Sequence, residues 1–353
     1  ASDVYKRQAE KRGKEKEFAD LWKQLNNCIN ELESTRIADI NSILMQYMYY
    51  IRTVNKETIS ETGAINVTTP GLRRYFTEVN KMPITDPIGM CSDMVKLVKV
   101  WKKVSEYPQM KVLLKFNENT KLFLASYFFR FDEDNITEEL VEPILECLLR
   151  LFSLLELVDV GYSSKYFKTF LFGAEVKLVS KSTTVDAITQ DFNEHIRSNW
   201  DKETIWAALH DYDGNVLVYL NEFLFAKEKG LSFTLGTKYD IEHIMPYSGN
   251  NLQEIRKDAE IDSEEEFYGV VNKLGNKILL EEKINRAIGN EWFRTKVSTK
   301  LENKTGYIDS KYPIARALVS KYQSANKPYW KKDDIMSTTD KASDRIVSFI
   351  FGE

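Results

Sequence analysis

Glu242 and His243 stand side by side in the stretch YDIEHIMP, residues 239–246, in a chain that has only three histidines. A neutral imidazole can take a proton from water near pH 7, and a carboxylate beside it can hold a hard divalent cation. The same pair can also be no more than the end of an ordinary β-strand. The surrounding sequence has to decide between a metal-dependent hydrolytic site and a structural histidine.

The segments around this pair predict a strand, an insertion, a second strand and a helix. LSFTLGTKYDIEHI (231–244) is expected to be extended because apolar residues alternate along it. A polar loop and a short helix follow, and Ser263 and Glu266 have the spacing of a helix-capping box. NKILL (276–280) is typical of a strand, and EEKINRAIG (281–289) begins a helix.

This order of elements allows groups from a strand and a helix to meet at one phosphate. A strand end presents Glu242 and His243 next to each other. Asp240 shares the strand face of Glu242, because side chains alternate along a strand with a period of two. A helix packed on the strand can supply Asn285, whose amide oxygen suits an Mg²⁺ ion that keeps most of its waters. Such a set would suit a phosphodiesterase with a single metal ion.

The string YDIEHIMP followed by LGNKILLEEKINR (274–286) resembles the HNH nucleases of ββα-metal fold, including the HNH domain of RNA-guided CRISPR nucleases. The nine-residue step from Asn276 to Asn285 matches the step between that family's middle Asn and its last metal ligand. Over about 200–350, the sequence is similar to the C-terminal domain of GmrSD-type, modification-dependent (type IV) restriction endonucleases. The shared pattern is EHIxP, then a long insertion, then LGN-x-x-LL. The tail has that domain's spacing at WFRTK (292–296), Tyr312, Trp330, Ile335 and Arg345.

The resemblance implies a role for each residue of the set. His243 would be the general base, and Glu242 and Asn285 would hold Mg²⁺, with Mn²⁺ as the alternative cofactor. Asp240 would hold a metal-bound water. Asn276, placed with His243 in the catalytic set, would fix the loop between strand and helix and orient the site.

The implied activity is hydrolysis of DNA phosphodiester bonds that leaves 5′-phosphate and 3′-hydroxyl ends, in antiviral defence against phage DNA that carries modified bases. Lys277, Arg286 and Arg294 are candidates for phosphate contacts, because phosphate recognition favours Lys and Arg. Three alternatives stay open: a catalytically silent DNA- or partner-binding module with an HNH-derived fold, an RNA-cutting enzyme and a nicking enzyme.

The predicted fold class is mainly α (α+β), with a helical domain followed by an HNH ββα-metal domain embedded in helices. Residues 9–195 predict the helical domain, and residues 196–353 predict the nuclease domain. Residues 1–8 are interpreted as a sequencing-adapter artefact, because DVYKRQ (3–8) looks like a translated transposon-end adapter. The family begins with a ParB-like nucleotide-sensing domain marked by a DGQQR-type motif. The chain has no such string, so that domain is expected to be missing by truncation.

Charge and cysteine usage limit the possible partners. Residues 270–353 carry 16 basic against 10 acidic residues, whereas residues 1–269 carry 33 against 43. The basic C-terminal part favours an anionic partner such as DNA, although a solvated helical surface has the same composition. Three scattered cysteines without a CxxC pair favour a reducing, cytoplasmic setting. The apolar run 144–158 is interrupted by charges, so it predicts a buried helix and no membrane span.

Overall fold

The protein is mostly helical in the computed structural model, which describes residues 2–32, 37–57, 71–79, 81, 85–117, 119–158, 165–179, 184–298 and 306–353. Two short strands pair in a small antiparallel sheet. The predicted mainly α (α+β) class is therefore confirmed. No helix among the described residues is long and apolar enough to cross a membrane.

The α-helices and strands are numbered in chain order: α1 (Ser2–Lys11), α2 (Glu15–Leu32), α3 (Ile40–Val54), α4 (Leu72–Arg74), α5 (Pro87–Val104), α6 (Pro108–Leu113), α7 (Asn119–Phe128), α8 (Glu138–Val158), α9 (Lys165–Val179), α10 (Val185–Asn199), α11 (Lys202–Asp211), α12 (Val216–Glu228), β1 (Tyr239–His243), α13 (Leu252–Asp258), α14 (Glu264–Val271), β2 (Lys277–Glu281), α15 (Glu282–Ile288), α16 (Phe293–Val297), α17 (Pro313–Ala325) and α18 (Lys332–Phe351). A π-helix covers Tyr75–Val79, and short 3₁₀ helices cover Leu274–Asn276 and Tyr307–Asp309.

Contacts divide the chain into two compact units. One consists of residues 1–149 and 159–192, and the other of residues 150–158 and 193–353. The predicted domain bounds at 9–195 and 196–353, and the artefact reading of residues 1–8, stay predictions.

The first unit is built from amphipathic helices, as the 3.6-residue apolar spacing predicts. Helix α2 buries Phe18, Leu25 and Ile29 on one face. Trp101 is fully buried, and its indole N–H donates to Oε1 of Gln46 at 2.8 Å, so the largest core side chain leaves no polar group unsatisfied. The three cysteines of the chain are free thiols.

The core of the second unit lies beneath the two-stranded sheet. Strand β2 buries four of its five residues, because it is covered on both faces. Gly275, just before β2, allows the close approach of α18. A Cβ at Gly275 would lie 2.3 Å from the backbone N of Thr339 and 2.4 Å from the backbone O of Ile335. Close packing against the backbone of α18 therefore explains why a glycine stands in the LGN string.

The prediction of an extended strand over residues 231–244 is wrong for the first half of that range. Residues 231–236 have no regular structure, and β1 begins at Tyr239, because a strand needs a partner and β2 offers one for five residues only. The predicted cap at Ser263 is confirmed, but the reciprocal bond of a capping box is not formed, because the carboxylate of Glu266 accepts from the backbone N–H of Asp262 at 3.1 Å and not from that of Ser263. The hydroxyl of Ser263 accepts from the backbone N–H of Glu266 at 3.0 Å and starts α14.

Candidate active site

The two strands and the helix that follows them form one ββα unit. Strands β1 and β2 are antiparallel, with Asp240 opposite Leu280, Glu242 opposite Ile278 and His243 opposite Lys277. Helix α15 begins at the residue after β2 and packs on both strands. Its apolar positions Ile284 and Ile288 are buried, so the face that carries them lies against the sheet. The predicted order of strand, insertion, strand and helix is thus present.

Asn276 holds the segment that leaves β1. Its Oδ1 accepts from the backbone N–H of Met245 at 2.8 Å and from the indole N–H of Trp330 at 3.2 Å. Its Nδ2 donates to the carbonyls of Met245 at 3.0 Å and Val271 at 2.8 Å. The side chain is fully buried and all of its hydrogen-bonding capacity is used. This geometry supports the predicted part of Asn276 in fixing the loop, while its part in catalysis stays a prediction.

His243 ends β1 and is half-buried. Its Nε2 lies 3.2 Å from Oδ1 of Asn272, the residue that ends α14. An amide oxygen can only accept, so this contact is a hydrogen bond when the ring proton is on Nε2, and Nδ1 is then the basic nitrogen. Burial lowers the pKa of His243 below 6.5; the hydrogen bond that the ring donates to Asn272 opposes this shift, and the charges of Lys277 and Lys296 add to it. The imidazole is therefore neutral at pH 7, the form that a general base needs.

Glu242 lies on the other side of β1, where it is buried against a buried lysine. The ammonium of Lys296 forms an ion pair with Oε1 of Glu242, and the hydroxyl of Tyr307 donates to the same oxygen at 3.3 Å. Lys296 also donates to the carbonyls of His243 at 2.8 Å and Ile244 at 3.1 Å, so its three N–H groups have three acceptors. Burial raises the pKa of Glu242, and the attraction of Lys296 opposes this rise.

Asp240 and Asn285 form a second polar pair between the strand and the helix. Nδ2 of Asn285 donates to Oδ2 of Asp240 at 3.0 Å, and both side chains are half-buried. The other carboxylate oxygen of Asp240 and the amide oxygen of Asn285 are hard oxygen donors at one edge of the unit. The structure thus brings together two of the three residues predicted to lie at the metal site.

These groups fit a divalent cation in part. Asp240 and Asn285 supply one carboxylate and one carbonyl oxygen, which suits an Mg²⁺ ion that keeps several waters. Glu242 does not fit beside them, because a cation on its carboxylate would face the fully buried ammonium of Lys296. The described residues contain no cluster of three or more His, Cys, Asp or Glu that could hold a metal ion.

The three predicted phosphate contacts have different surroundings. Lys277 is buried, and its ammonium donates to the backbone carbonyls of Asp213 and Gly214, so it closes a loop inside the protein. Arg286 is exposed and paired with Glu282 one helical turn before it. Arg294 is exposed, with its guanidinium carbon 5.5 Å from the centre of the Trp292 ring. The two arginines are therefore accessible to a phosphate, and Lys277 is not.

Sequence reasoning missed Lys296, Tyr307 and Asn272, the side chains that contact Glu242 and His243. Lys296 is the last residue of the WFRTK string, which was noted for its spacing only. Lys296 lies 54 positions from Glu242 along the chain, and Asn272 lies 29 positions from His243. No local periodicity signals contacts of that range.

The family comparison adds a type of activity to this geometry. Residues 183–342 match the model of GmrSD restriction endonucleases, C-terminal domain. This part of the chain is a GmrSD-type nuclease domain. The GmrSD-type domain contains the whole ββα unit and every predicted site residue from Asp240 to Arg294. Comparisons with curated proteins and with solved structures gave no match.

Proposed function

We propose that the GmrSD-type domain is an HNH-type endonuclease that hydrolyses DNA phosphodiester bonds with a divalent cation as cofactor. The observation that carries the proposal is His243, a neutral imidazole at the end of β1 with its Nε2 held by Asn272. The order of two antiparallel strands and a helix supports the HNH type. The family match supports a nuclease that acts on DNA.

His243 supplies the base in this reaction. Nδ1 takes a proton from a water molecule, whose oxygen attacks the phosphorus atom while the bond from phosphorus to the 3′ oxygen breaks and that oxygen takes a proton from solvent. The products are a 5′-phosphate and a 3′-hydroxyl. Asn272 fixes the ring through Nε2, and Asn276 and Lys296 fix the backbone on which the ring stands. The base is thereby held in place before the substrate binds.

Asp240 and Asn285 are the residues that would hold the cation. A divalent cation bound there would offset negative charge on the phosphate and on the leaving oxygen. Arg294 and Arg286 lie on the two helices that follow β2 and would bind neighbouring phosphates. Restriction of phage DNA in the cytoplasm is the biological role that we propose for this activity.

The test is cleavage of a supercoiled plasmid by the purified chain in Mg²⁺ and in EDTA, with Asp240→Asn and Asn285→Ala in parallel. Cleavage is expected in Mg²⁺ only, because the reaction needs the cation. Each variant should raise the Mg²⁺ concentration at half-maximal rate by about tenfold or more. Asn290→Ala is the matched control, because Asn290 is an exposed amide just beyond α15.

Equal cutting in Mg²⁺ and EDTA would contradict the metal dependence. An unchanged Mg²⁺ titration in both variants would remove Asp240 and Asn285 from the ligand set. Failure to cut any DNA or RNA would leave a nucleic-acid-binding module in place of an enzyme.

A further inference from the structure

Tyr247 and Tyr268 are exceptional among the aromatic residues of this protein. They are 48% and 55% exposed, and every other aromatic side chain whose burial the structure describes is buried or half-buried. The two rings lie side by side with their centres 6.1 Å apart. Exposed aromatic rings cost solvation free energy when they have no partner, and these two rings, which are tilted by 55° to each other, together form one apolar surface.

Both tyrosines stand on fixed parts of the domain. Tyr247 lies two residues beyond Met245, whose backbone N–H and carbonyl are both bound by Asn276. Tyr268 lies on α14, which Ser263 caps at its N-terminus. The buried ring of Phe267 packs against both tyrosines. Its centre lies 6.4 Å from the ring centre of Tyr247 and 5.3 Å from that of Tyr268. Asn276 therefore fixes the backbone that leads from His243 to Tyr247.

The aromatic surface is continuous with the proposed catalytic base. The ring of Tyr247 lies 6.3 Å from the ring of His243. Helix α14, which carries Tyr268, is followed directly by Asn272, the residue in contact with His243. A nucleotide whose phosphate lies at His243 would therefore have its base within reach of the two tyrosine rings.

We propose that Tyr247 and Tyr268 form a stacking platform for an unstacked base next to the scissile phosphate. The inference rests on the proposed nuclease function and names a subsite for its substrate. Every base has an aromatic face, so such a platform binds without a strong preference for sequence. The position of the rings beside His243 favours a nucleic-acid base over a protein partner as the occupant.

The first test is binding of fluorescent single-stranded and duplex oligonucleotides in EDTA, where cleavage does not interfere. Tyr247→Ala and Tyr268→Ala should each weaken binding about tenfold, and Tyr→Phe at either position should stay within about twofold because the ring remains. Leu231→Ala is the control, since Leu231 is 44% exposed and aliphatic. A 2-aminopurine base in the oligonucleotide should lose fluorescence on binding to the wild type and keep it with the double alanine variant.

Salt dependence separates stacking from phosphate contact. The slope of log K against log salt counts phosphates, so it should be the same in the tyrosine variants and the wild type. Unchanged affinity in the double alanine variant, or no oligonucleotide binding by the wild type, would overturn the platform. Unchanged affinity in the double alanine variant would indicate that the exposed rings contact a protein partner.

Failure of the platform is distinguishable from failure of the proposed function. Metal-dependent cleavage that the double alanine variant performs with wild-type KM would overturn the platform and keep the nuclease. Loss of oligonucleotide binding in the alanine variants of a chain that never cleaves would keep the platform and overturn the nuclease. Thermal unfolding of each variant checks that the fold persists.

Discussion

The two sides of strand β1 differ sharply, although they are formed by neighbours in the sequence. His243 is half-buried, neutral and in contact with the amide of Asn272, and the exposed ring of Tyr247 lies beside it. Glu242 is buried, and its charged partner is Lys296. The three N–H groups of the Lys296 ammonium all donate at the end of β1, to Glu242 and to the carbonyls of His243 and Ile244. The first side resembles a place where water and substrate can enter. The second resembles a structural core.

The difference shows that proximity in a motif does not make residues share a site. Successive side chains of a strand point to opposite faces, so a Glu-His pair on regular backbone divides between two environments. Glu242 and Lys296 fix the strand end from one side, and His243 acts on the other. Asp240 shares the strand face of Glu242 but bonds to Asn285 outside the buried ion pair, so a cation held by Asp240 and Asn285 and the base His243 would reach one phosphate from different faces of β1.

The largest effect is expected from His243→Ala. Loss of the general base should lower the cleavage rate by about 10²–10⁴-fold in Mg²⁺. The melting temperature should change little, because the ring makes one hydrogen bond and is half-buried. Single-turnover cleavage and calorimetry on the same sample measure both. His210→Ala is the control, since His210 stacks on Trp206 within α11. A wild-type rate in His243→Ala would remove His243 from its role as general base.

Lys296→Met should act on stability first. Removal of one partner from a buried ion pair leaves an uncompensated charge and costs roughly 3–5 kcal/mol in the free energy of unfolding. Replacement of both Lys296 and Glu242 by Met should recover much of this loss, because the burial penalty for charge then disappears. Urea unfolding measures both variants. Lys283→Met on the exposed face of α15 is the matched control. Equal free energies of unfolding for Lys296→Met and Lys283→Met would contradict the assignment of Lys296 to a buried ion pair.

Arg294→Ala should have a smaller effect, confined to DNA affinity. Loss of one phosphate contact lowers the slope of log K against log salt by about 1 and leaves the melting temperature unchanged. Lys277→Met should do the reverse, because its ammonium binds two carbonyls within the protein. Binding titrations at several salt concentrations, paired with melting curves, separate the two. An equal slope change in both variants would refute this division.

The smallest expected effect is a shift in the pH dependence caused by Asn272. Asn272→Asp puts a negative charge beside the imidazole, so it should raise the pKa of His243 and move the acid limb of the rate up by about one unit or less. Asn272→Ala removes the hydrogen bond that favours the charged ring, so the limb should move down. Rate profiles between pH 5 and 8 measure both shifts, and shifts of the same sign would contradict the contact.

Local patterns in the sequence predicted much of the fold and part of the candidate site. The Ser263 cap, the apolar run of β2 and the helix with Asn285 are short-range features, and each is present. The strand predicted over residues 231–236 was wrong, because strand formation depends on a partner strand, which the alternation of apolar residues does not reveal. Lys277 was predicted to bind phosphate, and its burial follows from a loop 63 residues earlier in the chain.

Whether His243 acts as a neutral base at pH 7 is measured by the single-turnover cleavage rate of the wild type as a function of pH. Because burial lowers the pKa of His243 below 6.5, the base form dominates above that pKa, and the ring gains its proton as the pH falls through it. The rate should therefore be level from pH 7 upward and fall tenfold per pH unit below a midpoint under 6.5. A midpoint above 7, or a rate that does not fall between pH 7 and pH 5, would contradict the account.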